Sequence, residues 1–281
     1  MSNLRSENET RTGREVSTGD PSAKSTAAPL VLSLDTATGV RSVAVAEGAR
    51  VLAQTAGRVQ KENTSSVLAD VDGALRESGV RLDEIELYAV TTGPGSFTGL
   101  RSGLATVKAL ASTLDRPVVG VPTLHAIAFA SGASSRVVAS LPAGRGEVFA
   151  QLLSVGATGE VEELREASHL TPSALLEKAS GWGGNLTWAG AGAHVHAAAI
   201  RDFARLKGIV WREENGGEDV PNLEETTHWT LARPVEAYAA HVAALGLTDY
   251  LEGNFISAEE LRAFYVRLSD AELNERCRGQ N

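Results

Sequence analysis

Cysteine is almost absent from this sequence of 281 residues. Its single cysteine, Cys277, excludes an intramolecular disulfide and any zinc site built on several cysteine ligands. Long apolar runs are also missing, because no stretch approaches the ~18 apolar residues that a membrane span needs, so no membrane partner is expected. Residues 1–29 are polar and lack the apolar core of a secretory signal peptide. These features predict a cytoplasmic protein.

Basic charge is scarce as well. The sequence has 26 lysine and arginine residues against 35 aspartate and glutamate residues, and its formal net charge is −9. A protein that binds nucleic acid alone normally concentrates basic residues on one surface or in one segment, and this sequence contains no such block. We therefore expect that any RNA is held mainly by another protein.

The order of apolar patterns along the chain predicts two lobes between two tails. Residues 1–29 carry too little apolar surface to offset the entropy of ordering them, which predicts a disordered N-terminal tail. Alternating strand and helix patterns predict a first lobe over 30–123 and a second over 124–267, followed by a polar tail over 268–281. A helix over 228–246 is expected to pack back on the first lobe. The pattern is typical of an α/β protein with mixed sheets.

Two helices of the first lobe have distinctive faces. The first is predicted from about Asn63 to Ser78 and carries four apolar residues on one side. Asn63 or Thr64 is the expected N-cap. Those four residues are Val67, Leu68, Val71 and Leu75.

The second helix is predicted from about Thr98 to Leu114. Beside its apolar side it has a face of small residues that would let another helix approach closely. A buried contact within the chain and a partner surface predict the same composition, so both interpretations stand. The face comprises Gly99, Ser102, Gly103, Thr106, Ala109 and Thr113.

Two polar turns are candidate ligand sites. The segment Asp35–Gly39 places a carboxylate and hydroxyls at a strand end, which suits either a hydrated Mg²⁺ or a hydrogen-bonded hairpin turn. The string Gly93–Gly103 places glycines before a helix N-terminus, where an anion can bind. Its spacing matches neither a P-loop nor a dinucleotide fingerprint, and a simple strand-to-helix turn is the alternative.

Metal ligands and catalytic nucleophiles are not apparent. The six histidines form no His-x-x-x-His pair, and His194 and His196 have no third ligand near them in sequence. The serine at Ser96 lies outside a nucleophile-elbow pattern and has no base close in sequence. No metal site and no catalytic residue are predicted.

Three strings in this order and spacing resemble the TsaB family, formerly called YeaZ. They are Leu32–Thr38, Gly93–Arg101 and Gly146–Phe149, and the segments Pro117–Leu124 and Phe264–Arg267 also fit. The resemblance implies an actin-like ATPase-superfamily fold of two related lobes. It also implies a role in making threonylcarbamoyladenosine beside the anticodon of tRNAs that decode codons beginning with A.

The resemblance further implies how the work is divided between proteins. TsaC makes threonylcarbamoyl-AMP, and TsaD transfers the group to tRNA with TsaB and TsaE as partners. TsaB acts as a scaffold or activator, contacts tRNA only indirectly, and forms a homodimer when alone. The alternative is a nucleotide-hydrolysing or phosphoryl-transferring enzyme that uses Asp35.

Carried onto this sequence, the TsaD interface falls on the two helices described above. It is expected to include Asn63, Thr64, Val67, Leu68, Val71, Leu75, Gly99, Ser102, Gly103 and Thr106. A vestigial nucleotide site is expected at Asp35, Thr36, Gly95 and Ser96. No cofactor is implied for the subunit itself, and ATP or ADP with Mg²⁺ at the subunit interface is the open alternative.

The sequence departs from the family pattern at three positions. Asn63 stands where members often have histidine. Pro142 and Gly144 stand where many have an aspartate and an arginine. A missing carboxylate there weakens the case for a cleft that handles Mg-nucleotide.

Overall fold

The structure is a computed structural model that describes residues 28–57, 66–214 and 226–266. The predicted C-terminal tail and nearly all of the N-terminal one lie outside the described residues. So do Asn63 and Thr64.

A five-stranded mixed sheet forms the first lobe. Strand β1 pairs antiparallel with β2 and parallel with β4, and the order across the sheet is β3-β2-β1-β4-β5. Alternate residues of β1 face opposite sides: Leu32 and Leu34 pack towards two helices, while Val31 packs towards a third. The strands are β1 Leu30–Asp35, β2 Arg41–Glu47, β3 Arg50–Gly57, β4 Leu87–Gly93 and β5 Val118–Pro122.

Helices α1 (Val67–Ser78) and α2 (Phe97–Leu114) cover one side of this sheet, and a short 3-10 helix spans Leu82–Glu84. Both helices begin at a serine cap. Ser66 Oγ accepts from the Ala69 N–H and Ser96 Oγ from the Gly99 N–H, each at 3.2 Å. The predicted cap of α1 at Asn63 or Thr64 is therefore corrected to Ser66.

A second mixed sheet of seven strands forms the second lobe. Its main path runs β11-β12-β10-β6-β7-β8, with β9 paired to β7. The strands are β6 Ser134–Gly144, β7 Glu147–Val155, β8 Val161–Glu163, β9 Ser168–Leu170, β10 Leu186–Ala189, β11 Val210–Glu213 and β12 His228–Leu231.

Helices α4 (Pro172–Ser180), α5 (Ala191–Val195) and α6 (Ala197–Leu206) pack on one side of the second sheet. The centre of this core is the buried pair Trp188 and Trp229, whose ring centroids lie 5.1 Å apart. Such tilted aromatic pairs contribute beyond the area that they bury.

The two sheets share one topology. In each, three strands form an antiparallel meander, and later strands add in parallel beside the first strand of the meander. β1, β2, β3, β4 and β5 thus correspond to β6, β7, β8, β10 and β12. This repeat is structural, since no matching sequence repeat is detectable.

Two helices lie between the sheets and join the lobes. α3 (Thr123–Ala130) follows the first sheet but packs on β6 and β7, whereas α7 (Ala239–Leu251) follows the second sheet but packs on β1, β2, β4 and β5. Side chains of the first lobe bond to the start of α7: the Ala239 N–H donates to Ser42 Oγ at 3.1 Å, and the Ala240 N–H donates to Gln54 Oε1 at 2.9 Å.

The predicted helix over 228–246 needs a boundary correction. β12 occupies its first four residues, and α7 begins only at Ala239. Pro234 separates the two elements, because proline lacks an N–H donor and disfavours helix at the residue before it.

The close approach of α7 to the first sheet generates a test with two helical glycines. A Cβ at Gly246 would lie 2.6 Å from the Ala89 Cβ, whereas a Cβ at Gly73 of α1 would lie 3.8 Å from the nearest side-chain atom, Thr55 Cγ2. We expect Gly246→Ala to lower the free energy of unfolding by about 1–3 kcal/mol through overpacking. Gly73→Ala should raise it by about 0.5–1 kcal/mol through helix propensity. Denaturant unfolding measures both, and equal stabilisation by the two changes would contradict this packing.

Candidate functional site

Asp35 ends β1 and is completely buried. Its Oδ1 accepts hydrogen bonds from the Ala37 N–H at 3.0 Å, the Thr38 N–H at 3.4 Å and the Thr91 hydroxyl at 3.0 Å. Its Oδ2 accepts from the Thr38 hydroxyl. The carboxylate is thus used by its own turn and by the neighbouring strand β4.

Burial raises the pKa of Asp35 above its ordinary value, while the hydrogen bonds from Thr38, Ala37 and Thr91 act against that shift. Desolvation disfavours the charged form of a buried carboxyl, and donors to its oxygens favour it. Of the two interpretations of Asp35–Gly39, this geometry favours the hydrogen-bonded hairpin turn. Because Asp35 is completely buried, a cation could reach its carboxylate only if the turn moved.

The glycine-rich loop is fastened to the same turn. The Ser96 N–H donates to the Ala37 carbonyl at 2.8 Å, and a Cβ at Gly95 would collide with that carbonyl. The Gly99 N–H is occupied by the Ser96 hydroxyl. Gly95 and Ser96 therefore hold the start of α2 against the turn after β1. All four residues of the predicted nucleotide site, Asp35, Thr36, Gly95 and Ser96, come together, joined by contacts within the chain.

Two glycines of α2 face the interior. A Cβ at Gly99 would collide with the Thr36 carbonyl, and one at Gly103 would collide with Thr36 Oγ1. Gly103 is buried, and Thr36 Oγ1 is buried without a hydrogen-bond partner in the described part of the chain. The expectation that these two glycines belong to a partner surface is therefore corrected: they are used by the close approach of α2 to Thr36.

The apolar side of α1 also faces inward. Val67 and Val71 are buried in the first-lobe core, and Leu75 packs against it. Leu68 instead is 56% exposed. The predicted interface face of α1 is thus mostly core, because an amphipathic helix presents its apolar side to the sheet that it covers. Of the four apolar positions, Leu68 is the one that projects outward.

The solvent side of the two helices carries a set of uncharged residues that we call the outer helical face. The Thr106 hydroxyl donates to the Ser102 carbonyl at 2.9 Å, and the Thr113 hydroxyl donates to the Ala109 carbonyl at 2.7 Å. Because these hydroxyls are satisfied by their own helix, the row presents small side chains with little unmet hydrogen bonding. The outer helical face consists of Leu68, Ser102, Thr106, Ala109 and Thr113.

An exposed aromatic cluster lies at the start of α2. Phe97 is 41% exposed, its ring centroid is 6.0 Å from that of Tyr265, and the Arg101 guanidinium lies 3.8 Å over the Phe97 ring. Phe264 beside it is also exposed, and its N–H donates to the Thr92 carbonyl at 2.8 Å. Sequence reasoning missed this cluster because its halves are far apart in the chain. The single available hint was the adjacent pair Phe264 and Tyr265 in a polar segment.

The described residues offer neither a cluster of metal ligands nor a membrane-spanning helix. They contain no group of three or more histidine, cysteine, aspartate or glutamate side chains placed to hold a metal ion. They also contain no helix with the length and apolar character required to cross a membrane.

Comparison with known proteins gives a family match over part of both lobes. Residues 55–177 match the family model described as TsaD, tRNA N6-adenosine threonylcarbamoyltransferase. The tRNA threonylcarbamoyladenosine biosynthesis protein TsaB of Escherichia coli is 36% identical over 122 residues, which are 42% of this chain and 52% of that protein. The TsaB protein of Haemophilus influenzae is 34% identical over 123 residues, covering 42% and 51% respectively. The chain thus spans about half the length of these curated relatives.

A solved structure matches over a longer stretch. YeaZ from Pseudomonas aeruginosa superposes with a TM-score of 0.63 at 23% identity, covering 84% of this chain and 99% of that one. The resemblance to the TsaB family is confirmed by the sequence matches. The predicted two-lobed α/β fold with mixed sheets is confirmed as well.

Two substitutions at Asp35 test whether its carboxylate is structural. Asp35→Ala leaves several buried donors without an acceptor and should lower the free energy of unfolding by at least about 2 kcal/mol. Asp35→Asn keeps an oxygen acceptor and should fold normally. Because burial raises the Asp35 pKa, ionisation opposes folding, so stability relative to Asp35→Asn should fall as the pH rises above the ordinary value of 3.8. Unfolding curves across pH measure this, and an equal loss of stability in both variants would contradict it.

A substitution at Gly103 tests the packing of α2. Gly103→Leu places a side chain where Thr36 lies, so we expect partial or complete loss of folding. Ala109→Leu, on the solvent side of the same helix, is the matched control and should leave the melting temperature nearly unchanged. Circular dichroism during heating measures both. A normally folded Gly103→Leu protein with impaired partner binding would place Gly103 on the surface instead.

Proposed function

We propose that this chain is a TsaB-type accessory subunit that binds TsaD and supports threonylcarbamoyl transfer without catalysing it. The product is threonylcarbamoyladenosine beside the anticodon of tRNAs that decode codons beginning with A. TsaE joins through the complex, and tRNA is contacted mainly by TsaD, in keeping with the net charge of −9 on this chain. The proposal places the protein in the cytoplasm.

The observation that carries the proposal is the outer helical face together with the aromatic cluster. Small side chains allow another helix to approach closely, and the exposed aromatic and arginine side chains are of the types that anchor protein interfaces. Both α1 and α2 lie within residues 55–177, where the family model matches. A helix pair from a partner would complete a four-helix layer on this side of the first lobe.

The geometry of Asp35 supports an accessory role over the nucleotide-hydrolysing alternative. A carboxylate that activates or positions Mg-nucleotide needs free oxygen lone pairs directed at the cation. Asp35 instead accepts from Ala37, Thr38 and Thr91. We accordingly propose no cofactor for the subunit alone; ATP or ADP with Mg²⁺ at the interface with TsaD would have to be held chiefly by the partner.

The same surface supports a proposal about self-association. A face that packs small side chains against TsaD is left open when TsaD is absent, and a second copy of this chain can cover it. We therefore propose a homodimer in isolation that competes with the heteromeric complex.

The test is reconstitution of threonylcarbamoyl transfer to unmodified tRNA by TsaC, TsaD and TsaE of the same organism, with and without this chain. Product formation should depend on the chain. Ala109→Arg puts a bulky charge in the outer helical face and should weaken TsaD binding at least ~10-fold, with a parallel loss of product. Calorimetric titration with TsaD and quantification of the modified nucleoside measure the two effects.

Leu206→Arg is the control for added charge. Leu206 is 81% exposed on α6 of the second lobe, away from the outer helical face. This variant should bind TsaD and support transfer as the unmodified chain does. Full transfer without the chain, or transfer by the chain alone, would refute the accessory role. Equal loss of binding in both variants would refute the interface.

A further inference from the structure

A cleft of about 380 Å³ opens where the two lobes meet. Its first-lobe wall is apolar and comes from Pro94, Pro122 and Phe264. Its second-lobe wall is polar and comes from Gln151 of β7, Glu163 of β8 and Glu166 before β9. The volume falls at the lower end of the range for small-ligand sites, about 300–1,000 Å³.

Gln151 is the unusual member of this cleft. It is 4% exposed, and its side-chain amide makes no hydrogen bond with any residue that the structure describes. Alternation along β7 puts Gln151 on the side of Phe149 and Leu153, which pack with α3, whereas Ala150 and Leu152 face the outer helices. The amide is therefore directed into the cleft. Gln151 lines the cleft, where a ligand can replace solvent as the hydrogen-bond partner of its amide.

The charge of the cleft defines what can pair with it. Two carboxylates, Glu163 and Glu166, line it, and none of the residues in its described lining is a lysine or an arginine. Glu163 Oε1 is held by His125 Nε2 at 3.0 Å, which fixes the carboxylate and leaves Oε2 for another donor. A phosphate or carboxylate ligand would be repelled, whereas a cation with several N–H donors would be matched.

We propose that this cleft binds a small organic cation, a guanidinium or ammonium group on a short hydrocarbon chain. The cationic head pairs with Glu163 and Glu166 and donates to the Gln151 amide oxygen. The hydrocarbon packs against Pro94, Pro122 and Phe264. A planar guanidinium offers donors in a fork that suits two carboxylates. This site is separate from the outer helical face and does not depend on the accessory role proposed above.

The test is calorimetric titration of the full chain with n-butylguanidinium at constant ionic strength. The matched probe n-butylurea has nearly the same shape without the charge and should bind at least ~10-fold more weakly, a difference of about 1.4 kcal/mol. N-acetylarginine N-methylamide distinguishes the source of the cation. If it binds more tightly than butylguanidinium, the natural ligand is a polypeptide side chain; if more weakly, it is a free amine or guanidine. Either order supports a cation site.

Three variants locate the binding. Glu163→Gln keeps a hydrogen-bonding group for His125 and should weaken binding at least ~10-fold, since it removes one of the paired charges. Glu162→Gln removes the same charge from the adjacent residue of β8, which is outside the cleft lining, and should change binding less than ~2-fold after screening by salt. Gln151→Leu removes the amide that the cation would donate to and should weaken binding.

Four results would overturn the proposal. The first is that butylguanidinium gives no heat of binding up to tens of millimolar, and the second is that butylurea binds equally well. The third is that Glu162→Gln and Glu163→Gln weaken binding equally. The fourth is that pyrophosphate displaces butylguanidinium by binding directly in the cleft. If Gln151→Leu fails to fold, the two exposed glutamate variants still decide the outcome, because neither change is in the core.

Discussion

The close approach of α2 to the turn after β1 is the constraint on which the first lobe depends. Backbone of the Thr36–Ala37 turn lies where side chains at Gly95 and Gly99 would project, and the Thr36 hydroxyl fills the space beside Gly103. This contact requires glycine at each position. It also fixes Asp35, whose donors come from the same turn and from β4. The glycine-rich string Gly93–Gly103 looks most like a ligand-binding loop, but its glycines form the close contact between α2 and the Thr36–Ala37 turn. We call this contact the seam, because it joins the helix to the first sheet.

This seam explains which parts of the structure could be predicted from sequence. The alternation of β1 follows from local pattern, because Leu32 and Leu34 on one side and Val31 on the other can be assigned by period alone. The starts of α1 and α7 did not follow from it and needed correction. The direction in which the small-residue face of α2 points could not be predicted from local pattern. Gly99 and Gly103 face inward while Ser102 and Thr106 face outward, and the choice depends on where the Thr36 turn lies in three dimensions. The apolar side of α1 was wrongly assigned to a partner interface for a related reason: Val67 and Val71 pack in the core under the first sheet.

The repeated topology was hidden for a different reason. Pairing order is a property of the backbone, and each lobe packs it with its own side chains: aliphatic residues around Leu32 in the first, the tilted pair Trp188 and Trp229 in the second. The exchange of α3 and α7 between the sheets is likewise non-local. It is stabilised by Ser42 and Gln54 capping the start of a helix almost 200 positions further along, a pairing that no window along the sequence contains.

The repeated topology allows the ends of corresponding strands to be compared with each other and with the cleft between the lobes. Strand β1 ends at Asp35, whose oxygens accept hydrogen bonds from within the chain. The corresponding end of β6 carries Pro142 and Gly144, which offer no carboxylate. Charge in the cleft comes instead from Glu163 and Glu166, and its one deeply buried amide, Gln151, is unpaired among the described residues. A cleft built for phosphate would place donors and cations there. Here the acceptors face the opening and the donors are used inside the fold, so the potential of the cleft has the sign that attracts a cation. The two-lobed architecture therefore does not by itself determine which ligand charge its cleft favours; the side chains that line the cleft do.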